Sequence, residues 1–145
     1  KIRPAYQFQI ERGMSDFHVI KYNGYRFSVD HFNQLHSDCM NFIQPQLEQP
    51  FAGTTIVVTH HMPTFMNYPS KFKGDILNEA FAVELCDCIE ISKPACWIYG
   101  HLHGNIPPFK IGETKLISNQ LGYVKYNEHT AFVNDLTINL NEDTE

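Results

Sequence analysis

The sequence predicts an α/β fold built around a strand–helix–strand unit. Thr54 to Thr59 is a run rich in β-branched residues, as expected of a strand that is buried on both faces. Apolar residues recur at helical spacing from Leu77 to Ser92, and a second apolar run follows from Ala95 to Tyr99. Such units place their two strands parallel, so we expect both strands to end at the same edge of one sheet.

The chain before this unit is expected to contain a hairpin and a long helix. Residues 1–17 show little periodicity and predict an extended or loop segment. Asn23-Gly24 is a strong signal for a two-residue hairpin turn. Ser28 is expected to cap a helix that runs to about Glu48, and Pro45 should kink that helix or end it early.

The chain around and after the unit predicts a long loop and more β structure. Residues 61–75 carry three Pro or Gly residues and predict an ordered loop, a kind of segment that is often functional. A second hairpin is expected from Phe109–Ile111 and Thr114–Ser118. Residues 131–140 alternate as a final strand, and the acidic residues 141–145 should be frayed.

Composition excludes several functional classes. A length of 145 residues suits one domain, and a net charge of -5 without a basic cluster argues against nucleic-acid binding. Every apolar run is far too short to span a bilayer, and no signal-peptide pattern opens the chain. The four cysteines form no CxxC pair, so we expect free thiols, a reducing compartment and a cytoplasmic protein.

Histidines follow both strands of the predicted unit. His60 and His61 come directly after the first strand, and the segment Gly100-His101-Leu102-His103-Gly104 follows the second. Ligands of open α/β sheets bind at the carboxyl ends of the strands, so His60, His101 and His103 should converge there. The flanking glycines should let the loop turn tightly, with His101 and His103 on a roughly extended step. Imidazole clusters suit Zn, Fe or Mn, and the sequence therefore predicts a metal site.

These motifs match a known family. Val57-Val58-Thr59-His60-His61 and Gly100-His101-Leu102-His103 resemble the last two sequence blocks of the calcineurin-like metallophosphoesterases. Patterns of one bacterial-type branch resemble residues 74–81, 93–99 and 118–123, so the resemblance covers nearly all of the chain. It implies part of an α/β/β/α sandwich, with a βαβ unit carrying the histidines and a C-terminal antiparallel β segment.

The resemblance also implies roles for individual residues. His60 and His101 would bind one metal ion and His103 the other, while His60 and His61 would be catalytic. Candidate substrate-binding residues are Asn67, Asn78 and Asn105. The intact family site would hold two divalent ions, Mn, Fe, Zn or Ni, and would hydrolyse a phosphoric ester through a bridging water or hydroxide.

Three family blocks that should precede His60 are absent from this chain. Asp16-Phe17-His18 mimics the Asp-x-His block, but no Gly-Asp or Gly-Asn-His follows it before His60. We therefore expect residues 1–145 to be the C-terminal portion of a phosphoesterase domain, weakly active or inactive alone, with one metal ion or none. The alternative is a non-catalytic module that binds metal or a partner, and an exposed sheet edge would favour self-association.

Overall fold

The computed structural model describes residues 1–139 as a mixed α/β structure. The α-helices are α1 (Gln7–Gly13), α2 (Asp16–Val19), α3 (Val29–Glu48) and α4 (Cys86–Ser92). The strands are β1 (Lys21–Tyr22), β2 (Tyr25–Arg26), β3 (Ile56–Val58), β4 (Cys96–Ile98), β5 (Phe109–Ile111) and β6 (Thr114–Ile117). Short 3-10 helices cover Pro4–Tyr6, Ser70–Phe72, Ile76–Ala80, Val124–Tyr126 and Glu128–Ala131.

The main sheet has the strand order β3-β4-β6-β5. Strand β3 pairs parallel with β4, and β4 pairs parallel with β6. Strand β5 returns antiparallel to β6, so the predicted hairpin is confirmed. The predicted strand–helix–strand unit is confirmed as well, because α4 lies between the parallel strands β3 and β4 along the chain. The hairpin around Asn23-Gly24 is also confirmed, as a short separate sheet of β1 and β2.

The prediction that the first strand of the unit is buried on both faces is wrong. Strand β3 is the last strand on its side of the sheet, and the side chain of Val58 is 69% exposed. Val57, which points to the opposite face, is buried. A run of β-branched residues identifies a strand but does not reveal whether another strand or a helix covers its second face.

Helix α3 begins where the sequence predicts and does not end early. The Ser28 hydroxyl accepts the backbone N–H of His31, and the His31 ring accepts the backbone N–H of Ser28. This reciprocal arrangement is a capping box, which satisfies two backbone donors at the helix start. Pro45 lies inside the helix, which continues to Glu48 as predicted, so of the two effects expected of this proline the early end does not occur.

The predicted helix over residues 77–92 is wrong in its first half. A 3-10 helix covers Ile76–Ala80, and α4 begins only at Cys86. Between them the backbone N–H of Val83 donates to the carbonyl of Met62 at 3.0 Å. The backbone of this segment is therefore bonded to the loop after β3 instead of to a preceding helical turn.

Two terminal predictions are corrected. Most of residues 1–17 is helical, in the 3-10 helix Pro4–Tyr6, in α1 and in the start of α2, and Ile10 and Phe17 are completely buried in a core of their own. No strand forms over residues 131–139, and the remainder of that predicted strand and the tail 141–145 lie outside the described residues. The Asn119 amide bonds both the N–H and the carbonyl of Val133, at 3.0 and 2.8 Å, and so occupies groups that a neighbouring strand would need.

The core has two parts. The larger one lies on the face of the main sheet that carries Trp97 and Leu116, and Ile89 of α4 packs into it. The smaller one joins the N-terminal helices to the start of α3 through Phe17 and Val29. In the part of the chain that the structure describes, no helix is long and apolar enough to cross a membrane.

Candidate functional site

Two neighbouring parallel strands deliver the histidines to one edge of the main sheet. His60 follows β3 and His101 follows β4, and these strands pair in register from Ile56 with Cys96 onward. Beyond the strands, the backbone N–H of Gly100 donates to the carbonyl of His60 at 3.0 Å. The sheet pairing thus extends into the loops, which fixes the two histidines relative to each other.

Three imidazole rings meet at this edge. The His60 and His101 ring centroids are 4.8 Å apart, and the His61 ring lies 5.1 Å from His60 and 4.7 Å from His101. Nε2 of His60 and Nδ1 of His101 are within hydrogen-bonding distance, at 2.9 Å. Nε2 of His101 is buried without a hydrogen-bond partner, which is uncommon for a buried polar atom.

The environment keeps two of these imidazoles neutral. Burial, followed by the charge effect of His60, lowers the pKa of His61 to about 4. Burial, followed by the charge effects of His61 and His60, lowers the pKa of His101 to about 4. A neutral imidazole has a lone pair on one ring nitrogen, and this is the form that binds metal ions.

Aromatic rings and a groove surround the three histidines. The Phe81 ring lies 4.4 Å from the His101 ring, and Phe32 of α3 stands edge-on to His61 at 5.7 Å. A groove of about 480 Å³ runs from these rings between α3 and the exposed end of β3. Asp16 lines the same groove, and its carboxylate raises the pKa of His101, against the lowering by burial.

Sequence reasoning missed two of these neighbours. Asp16 was visible in the sequence as part of an Asp-x-His mimic, but its place in the chain argued against a role at the site. The structure brings Asp16 to the groove and leaves His18 outside it, where the His18 ring contacts Arg12 and Arg26. Phe81 gave no sequence signal, because its contact with His101 depends on the break in the predicted helix.

A hydrogen-bonded chain supports His61 from inside the fold. The indole Nε1–H of Trp97 donates to the Thr59 hydroxyl at 2.9 Å. That hydroxyl donates in turn to the backbone carbonyl of His61 at 2.8 Å. Trp97 is completely buried in the main core, so Thr59 connects the backbone at His61 to that core.

His103 makes its ring contacts apart from the other three histidines. Its ring stands edge-on to Tyr123 at 4.5 Å, and its Nδ1 lies 3.4 Å from a carboxylate oxygen of Glu128. The backbone N–H of His103 donates to the side chain of Gln120 at 2.9 Å. The expected role of His103 as a metal ligand remains a prediction.

The histidine loop does not have the backbone that the sequence suggested. Positive φ angles occur at His101 (71°) and His103 (58°), whereas Gly100 and Gly104 do not have positive φ. The expectation of an extended step between the two histidines is therefore wrong. A left-handed conformation costs energy for a residue with a side chain, and such strain is typical of ligand-binding loops.

The three asparagines proposed for substrate binding have different environments. Asn67 is exposed in the long loop after β3 and has a positive φ of 58°. Asn78 accepts the Tyr68 hydroxyl at 3.0 Å and donates to a loop carbonyl. Asn105 donates to two backbone carbonyls and accepts the N–H of Gln120 at 2.6 Å. Asn78 and Asn105 thus hold loops together, and substrate contact by all three remains a prediction.

The donor set suits a metal ion in part. His60, His61 and His101 supply imidazole nitrogens, and one of these, Nε2 of His101, is buried without a partner. Among residues 1–139, however, no group of three or more His, Cys, Asp or Glu side chains is arranged to hold a metal ion. His60, His61 and His101 by themselves therefore do not form such a group.

Comparisons of the chain with protein-family models, curated proteins and solved structures gave no match. The family resemblance consequently depends on the sequence motifs alone.

Proposed function

We propose that this chain carries the histidine half of a metal-dependent phosphoesterase site. The observation that carries the proposal is the meeting of His60, His61 and His101, with a buried and unpartnered Nε2 on His101, at the carboxyl ends of two parallel strands. Active sites of open α/β sheets lie at such strand ends.

In this proposal, His60 and His101 hold a divalent ion through their ring nitrogens, and His103 holds a second one. A bound pair of such ions supplies a nucleophilic hydroxide near neutral pH and polarises the phosphoryl oxygens. His61 stays neutral beside them, so it can accept or donate a hydrogen bond to the ester without adding positive charge. Phe81 and Phe32 pack against the rings of His101 and His61.

The proposal assigns the remaining ligands to a segment outside these 145 residues. The sequence lacks the Gly-Asp and Gly-Asn-His blocks that the resemblance requires before His60. The groove beside β3 is where such a segment would pack, because it adjoins all three histidines. In the same proposal, the described α/β structure is part of an α/β/β/α sandwich.

The test combines metal content with hydrolysis of an aryl phosphate. The chain is equilibrated with Mn²⁺ or Zn²⁺ and desalted, and its metal content is compared with that of His101→Ala and of a control, His18→Ala, whose ring lies outside the groove. We expect His101→Ala to lose metal, His18→Ala to retain it, and hydrolysis by the native chain to be weak or absent. Equal metal content in all three proteins would refute the proposal.

A second outcome would change the assignment of the remaining ligands to another segment. Robust hydrolysis that disappears in His101→Ala would show that the chain is complete without further ligands. Asp16 would then be the first candidate for the missing carboxylate, because it lines the groove with His60 and His101. Replacing Asp16 by asparagine, which keeps the shape of the side chain and removes its charge, would then abolish activity.

An interaction module is the second candidate function. The observation that favours it is the exposed end of β3, where Ile56 and Val58 are 40% and 69% exposed beside the groove. An uncovered strand edge with apolar side chains is a template for pairing with another chain. Metal content separates the two candidates. An interaction module that binds only through the strand edge needs no metal ion, so metal that is lost in His101→Ala favours the phosphoesterase site.

A further inference from the structure

A small apolar pocket is formed by the long loop after β3, the 3-10 helix Ile76–Ala80 and the histidine loop. Its volume is about 110 Å³, and its apolar walls are Tyr68, Phe72, Leu77, Phe81 and Leu102. Each of these five side chains is half-buried, so the fold leaves part of their apolar surface uncovered. Concave apolar surface with a few polar groups is typical of ligand-binding sites.

The size and the walls of the pocket suit one aromatic ring. In other proteins an apolar cavity of about 150 Å³ binds benzene, so a volume of about 110 Å³ admits one six-membered ring and excludes two fused rings. Three of the walls are themselves aromatic, and the rings of Tyr68 and Phe72 are tilted by 58° with centroids 6.4 Å apart. Aromatic rings prefer such tilted contacts, and a ring that enters the pocket finds several of them.

Asn78 holds two walls of the pocket in place. Its side-chain oxygen accepts the hydroxyl of Tyr68 at 3.0 Å, and its side-chain nitrogen donates to the carbonyl of Phe72 at 2.6 Å. One amide thus connects both aromatic residues of the long loop to the 3-10 helix. A pocket whose walls are already joined loses less conformational freedom when a ligand binds.

The charge of the pocket selects among aromatic ligands. Among the described residues that line it, Asp75 has the one charged side chain, and this residue is exposed at the mouth. Burial, followed by the charge of Asp75, raises the pKa of Tyr68, so the field of the carboxylate reaches the aromatic wall. A carboxylate accepts a hydrogen bond from a hydroxyl group and repels a second anion.

We propose that this pocket binds one aromatic ring that carries a hydroxyl group, a ligand of the phenol class. The ring fills the space between Tyr68, Phe72 and Phe81, and its hydroxyl donates to the carboxylate of Asp75. This site requires no metal ion and no phosphate, so it is independent of the proposed phosphoesterase function. It nevertheless adjoins the candidate site, because Phe81 lies 4.4 Å from the ring of His101.

The test is titration of the chain with phenol, after removal of metal ions with a chelating resin. Two-dimensional ¹H–¹⁵N NMR spectra report binding through the backbone amide signals of Phe81 and Leu102. We expect saturable shifts with a dissociation constant of about 1 mM, since a ligand of this size offers little binding energy. Cyclohexanol, which has the hydroxyl without the aromatic faces, should bind at least about twofold more weakly.

Benzoate tests the role of Asp75. It has the same ring with a negative charge, and a second charge at about 4 Å from a carboxylate costs at least about fivefold in affinity even at the dielectric constant of water. In Asp75→Asn the preference for phenol over benzoate should fall to about twofold or less. Asparagine caps a helix as well as aspartate does, so the bond from the backbone N–H of Leu77 to this side chain is retained.

A pair of matched variants locates the ligand. Leu102→Phe adds bulk inside the pocket and should weaken phenol binding by about tenfold, whereas Leu35→Phe makes the same change in the groove beside α3 and should stay within about twofold of the native chain.

Three results would overturn the proposal. The first is no saturable effect of phenol on the native chain. The second is binding of benzoate as tight as that of phenol. The third is unchanged phenol affinity in a folded Leu102→Phe variant, and its loss in Leu35→Phe would place the ring in the groove instead. Failure of the metal and hydrolysis tests would leave these outcomes unaffected, because the titration contains neither a metal ion nor an ester.

Discussion

Replacing Thr59 by valine removes the hydroxyl that connects the end of β3 to the core. In the native chain this hydroxyl accepts the indole N–H of Trp97 at 2.9 Å and donates to the carbonyl of His61 at 2.8 Å. Valine has nearly the same shape as threonine, so the change removes two hydrogen bonds and leaves little cavity. The Trp97 indole N–H and the His61 carbonyl then each lose this bond.

The expected loss of stability follows from the burial of those partners. Trp97 is completely buried, so its unsatisfied N–H costs about 1–3 kcal/mol. The His61 carbonyl lies nearer the surface, where water compensates, and adds less than about 1 kcal/mol. We therefore expect Thr59→Val to lower the free energy of unfolding by about 1–4 kcal/mol.

Urea unfolding followed by far-UV circular dichroism measures this loss, with Thr59→Ser as the matched control. Serine keeps the hydroxyl and lacks one methyl group, so we expect a loss of about 0.8 kcal/mol. A double-mutant cycle with Trp97→Phe, which removes the indole N–H, should give a coupling energy of about 1 kcal/mol between residues 59 and 97. Equal losses in the valine and serine variants, or a coupling energy near zero, would refute the reasoning.

Three further predictions concern the fold and its exposed edge. Ser28→Ala should lower the free energy of unfolding by about 1 kcal/mol through loss of the capping box. Ser28→Thr keeps a hydroxyl and should lower it by less, and urea unfolding measures both changes. Pro45→Ala should raise that free energy by about 2 kcal/mol, because the gain of about 3 kcal/mol inside a helix exceeds the lost restriction of the unfolded chain; an unchanged or lower value would contradict this. Val58→Lys should reduce concentration-dependent association in sedimentation velocity, whereas Val19→Lys, equally exposed but outside the sheets, should not; a native chain that stays monomeric at high concentration would contradict the association itself.

The parts of the fold that depend on local signals could be predicted from the sequence. Asn23-Gly24 and Gly112-Glu113 lie in the turns of the two hairpins, since each turn needs residues that tolerate its backbone angles. Ser28 caps α3 as expected. The parallel pairing of β3 with β4 followed from the strand–helix–strand order and a general rule of handed connections.

The parts of the fold that depend on contacts between distant residues could not be predicted from the sequence. Residues 1–17 carry no clear period, and they are helical because Ile10 and Phe17 fill a separate core. Within residues 131–139 the predicted final strand does not form, and Asn119 occupies the backbone N–H and carbonyl of Val133 there. Neither contact leaves a trace in the local pattern of apolar and polar residues.

The candidate site shows the same division. The meeting of His60 and His101 at one sheet edge was predictable, since it follows from strand order, whereas His103 was expected there and His61 was not. The position of the His103 ring, beside Tyr123, could not be predicted, because it depends on left-handed backbone angles at His101 and His103. Positive φ angles are expected first at glycines, and here the flanking Gly100 and Gly104 do not have them.

The central claim is that His60 and His101 together form one half of a metal site. Calorimetric titration of the native chain with Zn²⁺ tests it most directly, with His60→Ala/His101→Ala as the variant and His18→Ala as the control. We predict saturable binding by the native chain and by His18→Ala, and its loss in the double variant. Unchanged binding in a folded His60→Ala/His101→Ala variant would contradict the account.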